Sequence, residues 1–541
     1  MYVKRKGWLQ SLFAMCLAAM LVVAGCSDAG TGPAPEDAGT KTTGEAGGET
    51  GGETSESTDD PYASLPRSVS ISMFDRGQVS SDEGTYEDNR WVKWIREQSG
   101  IDVKIVPVPR NQAQDTLNVL IASDQAPDLI WEYDRTYIGK LVSQGAIQPI
   151  GDYIEKYSTT YKQYLADNPD LLPYVTFDGE MYAVTTKRAI TSVANHAMWI
   201  RQDWLDAVNL PMPTTDEELI EVAKAFKAKF PDSTPVVGYT SSDVYAAMYG
   251  ASNYLWYLED GQMSYGATLD RYADAVNFEK RLYENGLMDR EFLTDSNNQR
   301  ANQLWTTGKA GIFLAQWGGG NVDVLMKDLL TNDPAAKPVP LEAVGTKYGR
   351  WGLFQESPPN IYVAFNKNMK NPKAALEYLD WILRDGWFTL FNGFEGEHYN
   401  MVNGLPQVID TDKYNKEALY AREYAVLRQE EVKPQDLVLK AAQDPMSQRI
   451  AELAALGLET ALKHPYKRDI PYQPSFDELN EIRSTLDKFV QETRAKAVTQ
   501  GEQFTGEWAV EQIRNEWNRL GGEEAQKIAQ QWYEENKATF K

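Results

Sequence analysis

The chain has 541 residues, of which 42% are hydrophobic and 24% charged, and its formal net charge at pH 7 is −24. This length exceeds what one hydrophobic core usually serves, so at least two lobes are expected, and the composition is typical of a soluble globular protein. The strong negative charge argues against nucleic acid as a partner, because phosphate backbones are bound by clustered Lys and Arg side chains.

The first predicted element is a secretory signal in residues 1–25. Basic residues at 4–6 precede the apolar run "WLQSLFAMCLAAMLVVAG", which is shorter and differently flanked than a stable transmembrane helix. Its end, Val23-Ala24-Gly25-Cys26, resembles the lipobox of bacterial lipoproteins, whose cysteine is diacylated and becomes the new N-terminus. The resemblance implies lipid anchoring at Cys26 on the extracellular face of the cell membrane. A plain signal cleaved elsewhere is the alternative.

Residues 26–66 are predicted to form a disordered acidic tether. Between positions 28 and 60 the chain holds nine Asp or Glu residues, one Lys and no aliphatic residue larger than Ala. Such a segment cannot bury enough apolar surface to offset the entropy lost on ordering. Cys16 leaves with the signal, so we expect no disulfide in the mature chain.

A first lobe is predicted to begin with residues 67–185. Period-two alternation in "SVSISM" indicates a strand, "YEDNRWVKWIREQSG" a helix, "IDVKIVPV" a second strand, "AQDTLNVLIASDQA" a second helix and "PDLIW" a third strand. This order predicts an open α/β sheet, in which ligands bind just beyond the carboxyl ends of the strands. Trp131, Asp134 and Arg135 lie at that position.

A second lobe is predicted over residues 186–316. Thr215 and Glu218 form a capping box at the start of the amphipathic segment "DEELIEVAKAFKAKF", and "AGIFLAQ" is an apolar strand followed by a Trp and three glycines. The glycines indicate a hinge, so residues 317–400 are predicted to cross and return to the first lobe. Residues 401–541 are predicted to be a helical region that completes the lobes.

Several stretches resemble, in this order, family 1 extracellular solute-binding proteins, the group that includes maltose-binding protein. The resemblance covers roughly residues 68–400 and rests on "PDLIWEYDRTYIGKLVSQGAIQPI", "DGEMYAVTTKR", "MWIRQDWLDAVNLPMPTTDEEL", "ENGLMD", "TTGKAGIFLAQWGG" and "NPKAALEYLDWILRD". The chain length, "GFEGEHY" and the helical C-terminal region are similar to the large lipoprotein branch. The resemblance implies a two-lobed α/β fold with an interlobe sugar cleft, an ABC permease as partner, a monomer, no cofactor and no enzymatic activity.

The sequence departs from this branch at one place. Relatives often carry a calcium loop of alternating Asp or Asn and Gly after the helix that here ends near Phe230. "FPDSTPVVGY" lacks the alternating oxygen ligands that a calcium loop needs. No calcium is therefore predicted there.

The resemblance also implies particular site residues. Sugars require flat aromatic faces and charged groups that form hydrogen bonds with hydroxyls. Trp131 is expected to stack on the sugar, and Asp134 and Arg135 to contact hydroxyls, with a buried capping Trp beside a surface Asp–Arg pair as the alternative. Further candidates, each with a packing or turn role as the alternative, are Trp256, Tyr257, Trp317, Trp351, Glu395, Tyr399 and Asp75.

Other functions compete with an oligosaccharide-binding receptor. A peptide-binding receptor of the same transport class would share the tether and the lobes, whereas a passive adhesin would need no hinge. A glycoside hydrolase is disfavoured because Glu395 and Glu397, two positions apart, rarely flank a bond at the required separation of about 5 to 9 Å. An acidic sugar stays possible, since Arg135, Arg188 or Lys187 could pair with a uronate.

Overall fold

The computed structural model describes residues 60–190, 196–238, 243–295, 297–355, 357–474 and 476–540. The chain divides into residues 1–60 and residues 61–541, and the elements below belong to the second unit. The predicted signal, the lipidation site Cys26 and most of the predicted tether lie outside the described residues. No helix within the described ranges is long and apolar enough to cross a membrane.

The elements are numbered in chain order. Strands β1 to β17 are Ser68–Asp75, Asp102–Pro109, Leu129–Glu132, Thr176–Phe177, Glu180–Met181, Ala183–Val184, His196–Arg201, Val236–Gly238, Trp256–Glu259, Gln262–Tyr265, Ile312–Gln316, Pro338–Leu341, Gly345–Thr346, Gly349–Arg350, Tyr362–Phe365, Tyr399–Val402 and Leu405–Val408. Helices α1 to α20 are Arg90–Ser99, Ala113–Ala122, Arg135–Ser143, Gly151–Tyr157, Thr160–Asp167, Leu172–Val175, Gln202–Val208, Asp216–Lys229, Asp243–Met248, Asp270–Glu284, Gln299–Thr306, Asn321–Asn332, Pro372–Trp381, Trp387–Asn392, Thr411–Glu417, Pro434–Lys440, Pro445–Ala461, Asp477–Thr499, Gly506–Arg519 and Gly522–Asn536.

The first lobe is built on a sheet of order β2-β1-β3-β15-β6. Strand β1 pairs in parallel with β2 and β3, while β15 runs antiparallel to β3 and β6. Helix α1 begins where the Asn89 side chain accepts hydrogen bonds from two backbone N–H groups, and it ends at Gly100 with φ 64°, a left-handed conformation that glycine adopts at no steric cost. The predicted strand–helix alternation is confirmed here.

The second lobe is built on a sheet of order β12-β7-β11-β8. Strand β11 is antiparallel to β7 and parallel to β8, and β12 pairs with the other side of β7. The Thr215 hydroxyl accepts the backbone N–H of Glu218 at 3.2 Å, so the predicted cap starts α8. The chain therefore forms the two-lobed α/β fold that the sequence predicts.

The chain returns to the first lobe within the predicted range 317–400, but not at the glycines that follow Trp317. After β11, Gly319 and Gly320 have positive φ values of 78° and 53° and lead directly into α12 instead of crossing between lobes. Strand β12 still pairs with β7, so the return falls between Leu341 and Tyr362. The three glycines start a helix rather than a crossing.

The C-terminal region is shared between the lobes. Tyr414, Tyr424 and Leu427 are buried in the core of the first lobe. Helices α18 to α20 pack into the second lobe, where the buried Arg494 Nε donates to Glu279 Oε2 at 2.7 Å and so joins α18 to α10. The loop between α17 and α18 contacts both lobes, since Tyr472 packs against the first core and its ring lies 5.5 Å from that of Trp532.

Candidate functional site

A cleft of about 570 Å³ lies between the two lobes, a size typical of small-molecule sites. One wall comes from residues that follow the carboxyl ends of β2 and β3, and the other from β9 with the loops around positions 355 and 471. Its lining side chains are mainly aromatic rings, guanidinium groups and amides. They include Arg110, Gln114, Glu132, Tyr133, Asp134, Arg135, Tyr174, Arg188, Tyr254, Trp256, Phe354, Gln355, Tyr362, Arg468, Tyr472, Gln473 and Arg483.

Tyr133 is the aromatic side chain at the mouth of β3. Its ring lies 5.3 Å from the buried Trp131 ring in an edge-on arrangement, and its hydroxyl accepts a hydrogen bond from Arg76 Nη2 at 3.3 Å. The guanidinium carbons of Arg110 and Arg188 lie 5.5 Å and 5.9 Å from the ring centre. Packing against Trp131 therefore holds the Tyr133 ring in place, and three guanidinium groups lie near it.

Arg135 and Asp134 reach the cleft as the sequence predicts. Arg135 donates to the backbone oxygens of Tyr174, Pro173 and Thr176 at 3.0 to 3.2 Å, and its guanidinium lies over the Phe177 ring at 4.4 Å. Burial lowers the pKa of Arg135 from its ordinary value. The exposed Asp134 carboxylate caps α3 by accepting the N–H of Thr136 at 2.8 Å.

The opposite wall carries a second set of polar and aromatic groups. Trp256 lines the cleft although only 1% of its surface is exposed, and its backbone N–H donates to Gln473 Oε1 at 2.7 Å. Arg468 Nη2 donates to the backbone oxygen of Gln355 at 3.0 Å. Arg483 Nε lies 3.7 Å from Asp487 Oδ2.

The structure places Trp131 in the core of the first lobe, not in the cleft. The side chain is fully buried, and its ring centre lies 4.1 Å from that of Phe74. The expected stacking face is covered, because β3 is an inner strand between β1 and β15 and Trp131 packs among their apolar side chains. Tyr133, two positions later, occupies the place expected for Trp131.

Three further predicted aromatics also lie outside the cleft. Tyr257 is fully buried, and its hydroxyl accepts the N–H of Ser252 at 2.9 Å. Trp351 packs beside Gly250 and Gly349, with Lys467 Nζ 5.3 Å above its ring. Trp317 is half-buried in a small apolar cluster with α17. Local sequence could not distinguish these packing roles from stacking roles.

The predicted polar candidates Asp75, Glu395 and Tyr399 also fall outside the cleft lining. The exposed Asp75 carboxylate accepts the N–H of Gly77 at 2.8 Å, which is a turn role. Glu395 is exposed, while Tyr399 is buried edge-on against the Phe388 ring. The "GFEGEHY" stretch packs on α1, as Arg90 Nη1 donates to Glu397 Oε1 at 2.8 Å.

One group of side chains in this stretch has the composition of a metal site. Ligand atoms of Glu397, His398 and Glu417 lie within 4.8 Å of one another. Arg90 and Lys413 lie among the same carboxylates, at 2.8 to 3.8 Å from their oxygens, and supply positive charge to both. The arrangement is therefore an ion-pair network that holds the loop to α1 and α15.

Sequence reasoning missed most of the cleft lining. Tyr133 could have been found, because it follows β3 directly and lies between candidates that were named. Tyr174, Tyr362 and Arg468 carry no local signal, since their position depends on helices and loops far apart in the chain.

The comparisons with known proteins identify the family. The family described as "Bacterial extracellular solute-binding protein" matches residues 85–387, more than half of the chain. The chain belongs to this family. The resemblance inferred from the sequence is therefore confirmed, and the two-lobed fold agrees with it.

Two curated relatives and one solved structure illustrate the range of the family. The polygalacturonan/rhamnogalacturonan-binding protein YtcQ of Bacillus subtilis is 27% identical over 58% of this chain and 64% of that protein, so the match spans less than two thirds of YtcQ. Lipoprotein LipO of the same organism is 24% identical over 84% of this chain and 91% of LipO. The S. pneumoniae ABC-transporter substrate-binding protein FusA in complex with kestose superimposes with a TM-score of 0.67 at 16% identity, covering 87% of this chain and 100% of FusA.

Proposed function

We propose that this solute-binding protein binds a carbohydrate, an oligosaccharide, in the cleft between its lobes and delivers it to an ABC permease. The main support is the lining of the cleft, where aromatic rings and guanidinium groups come from both lobes. Rings stack on the apolar faces of sugars, and charged groups form strong hydrogen bonds with hydroxyls. The names of YtcQ and of the FusA complex agree with a saccharide as ligand.

Particular residues take particular roles in this proposal. Tyr133 offers a ring face, held in place by Trp131 behind it. The exposed Asp134 carboxylate accepts hydrogen bonds from sugar hydroxyls, and Arg135 donates to them from a position fixed by three backbone oxygens. Trp256 forms part of the opposite wall.

The proposed mechanism is binding without chemical change of the ligand. Because the ligand contacts both lobes, it favours a closed arrangement by the difference between its contact energies in the closed and open forms. The crossings between β6 and β7, between β12 and β15 and between Leu427 and α17 are where the backbone would bend. The permease then recognises the outer surfaces of the closed lobes.

We place the protein on the extracellular face of the membrane as a lipid-anchored monomer. The lipobox-like sequence that ends at Cys26 and the acidic segment after it support this placement. About 40 residues of flexible chain span on the order of 35 Å, enough to hold a receptor near a permease. LipO, which aligns over most of this chain, is named a lipoprotein.

Thermal unfolding with candidate ligands tests the proposal. The mature chain with Cys26→Ser, which cannot be acylated, is heated with neutral and acidic oligosaccharides and with short peptides. A ligand that binds only the folded state raises the melting temperature, in free-energy terms by RT ln(1 + [L]/Kd). A shift with saccharides and no saccharide consumed supports the proposal. Shifts with peptides alone would establish a peptide receptor, and product formation would establish a hydrolase.

A further inference from the structure

The sign of the charge in the cleft is opposite to that of the whole protein. Five guanidinium groups line the cleft, and the only carboxylates in its described lining are those of Glu132 and Asp134. The chain as a whole carries a formal charge of −24. A local excess of cations in so acidic a protein focuses a positive potential on whatever occupies the cleft. The five arginines are Arg110, Arg135, Arg188, Arg468 and Arg483.

Three of these arginines have no anionic partner among the residues that the structure describes. Arg135 and Arg468 donate to backbone oxygens, and the Arg110 guanidinium lies over the rings of Phe74 and Tyr133. Among the described residues, no carboxylate lies within 4.0 Å of the guanidinium nitrogens of Arg110, Arg135 or Arg468. Arg76, which lies just behind Tyr133, is by contrast paired with Glu423 at 2.8 Å.

The carboxylates of the lining balance only part of this charge. Glu132 is only 3% exposed, and burial raises the pKa of its carboxyl, which disfavours the charged form. Asp134 uses one oxygen to cap α3. Arg135 and Arg468 are half-buried and have no ion-pair partner within the described ranges, so they leave positive charge that a ligand can balance, and the arrangement is that of an anion-binding site.

Two of the arginines come from opposite sides of the cleft. Arg135 begins α3 of the first lobe, and Arg468 lies on the loop between α17 and α18. Arg135 Nε donates to the backbone oxygen of Tyr174 at 3.0 Å, and the Tyr174 hydroxyl donates to the backbone oxygen of Pro471 at 2.7 Å, three positions after Arg468. A single anionic group near Tyr174 can therefore interact with cations on both segments.

We infer that the ligand is an anionic saccharide, and that Arg468 and Arg110 bind its carboxylates while Arg135 adds positive charge to the cleft. This inference rests on the proposed function, because the aromatic rings account for sugar faces and the arginines for charge. A forked guanidinium matches a carboxylate with two parallel hydrogen bonds, so a uronate-containing oligosaccharide fits the lining best. An acidic peptide would satisfy the cations but leave the Tyr133 ring without its proposed role of stacking on a sugar.

Titration calorimetry on the mature Cys26→Ser chain tests this inference. The probes are trigalacturonate, an oligomannuronate of equal length, the methyl ester of each and the neutral β-1,4-galactotriose. Esterification removes the charge and retains the sugar ring. We expect at least one acid to bind about tenfold or more tightly than its ester, with an affinity that falls as salt screens the charges.

Substitutions of single arginines test which of them bind the carboxylates of the ligand. Arg468→Gln and Arg110→Gln should each lower the affinity for the acid by about 10- to 100-fold and leave the affinity for its ester nearly unchanged. Arg519→Gln is the matched control, since it removes the same charge from an exposed side chain on α19 that pairs with Glu516. Arg110 is exposed, so its substitution keeps the test valid if Arg468→Gln fails to fold.

The outcomes separate this inference from the proposed function. Equal affinity for the acids, the esters and the neutral trisaccharide would overturn the anionic preference and leave the carbohydrate receptor standing. Binding of an oligoglutamate peptide, with no binding of any saccharide, would overturn both. If Arg519→Gln weakens acid binding as much as Arg468→Gln does, only the overall charge of the protein matters. That result would overturn the assignment of Arg468 and Arg110 to the ligand carboxylates.

Discussion

Two stretches of this chain look alike in sequence and differ in what surrounds them. Residues 131–135 and residues 393–399 both combine aromatic rings with charged groups in a short segment. In the first, Arg135 donates to backbone oxygens and lies over the Phe177 ring without an ion-pair partner in the described part of the chain, and residues 132–135 line the cleft. In the second, the Glu397 carboxylate pairs with Arg90 and Lys413, and the segment packs on α1. In this protein, a charged side chain without an ion-pair partner indicates a binding surface, whereas paired charged side chains indicate a structural role.

The largest expected effect tests whether Trp131 is structural. Trp131→Ala should lower the free energy of unfolding by about 3 to 5 kcal/mol, because it removes a fully buried ring that packs on Phe74. Urea denaturation measures the change. Trp387→Ala, which truncates a half-exposed ring, is the control and should cost less. Unchanged stability together with lost ligand affinity would show that Trp131 contacts the ligand.

The second prediction concerns the neighbouring ring. Tyr133→Ala should weaken saccharide binding by about tenfold, since a stacking ring contributes roughly 0.5 to 1.5 kcal/mol beyond its buried area. Stability should change less than in Trp131→Ala because Tyr133 is half-exposed. Calorimetric affinity of the folded variant is the measurement. Tyr133→Phe keeps the ring and should retain most of the affinity.

The third prediction concerns residues 393–399, where the Glu397 carboxylate is paired with Arg90. Arg90→Gln should lower the free energy of unfolding by about 1 kcal/mol, because its ion pairs with Glu397 and Glu417 are partly screened by solvent. Ligand affinity should not change, since these residues lie outside the cleft lining. A loss of affinity comparable to that of Tyr133→Ala would mean that the two segments do not differ as described.

The smallest effect is a pH dependence of stability at His398. Burial lowers the pKa of His398 from its ordinary value, while its Nδ1 accepts the N–H of Phe394 at 3.0 Å. The unfolded chain therefore binds a proton more readily than the folded chain, and stability present above pH 6.5 is lost as the pH falls through the lower, folded pKa. Urea midpoints between pH 8 and pH 5 measure this slope. His398→Asn, which retains an acceptor, should flatten it.

Sequence patterns predicted the elements of the fold well and the cleft only in part. The Thr215 cap and the Gly100 terminus are local features, so short stretches were enough to place them. Asp134, Arg135 and Trp256 do line the cleft, but Trp131 does not. Period-two alternation indicates which residues share a face of the sheet, and it does not tell whether that face is later covered by distant parts of the chain.

The sequence by itself determined the family, the alternation of strands and helices and the acidic N-terminal segment, because these depend on residue order and composition. Tertiary structure alone decided which charges are balanced. Arg90 and Glu397 are 307 positions apart, and Arg468 meets the backbone of Gln355 across 113 positions. Electrostatic energies depend on distance in space and on burial, and neither can be obtained from residues that are adjacent in the sequence.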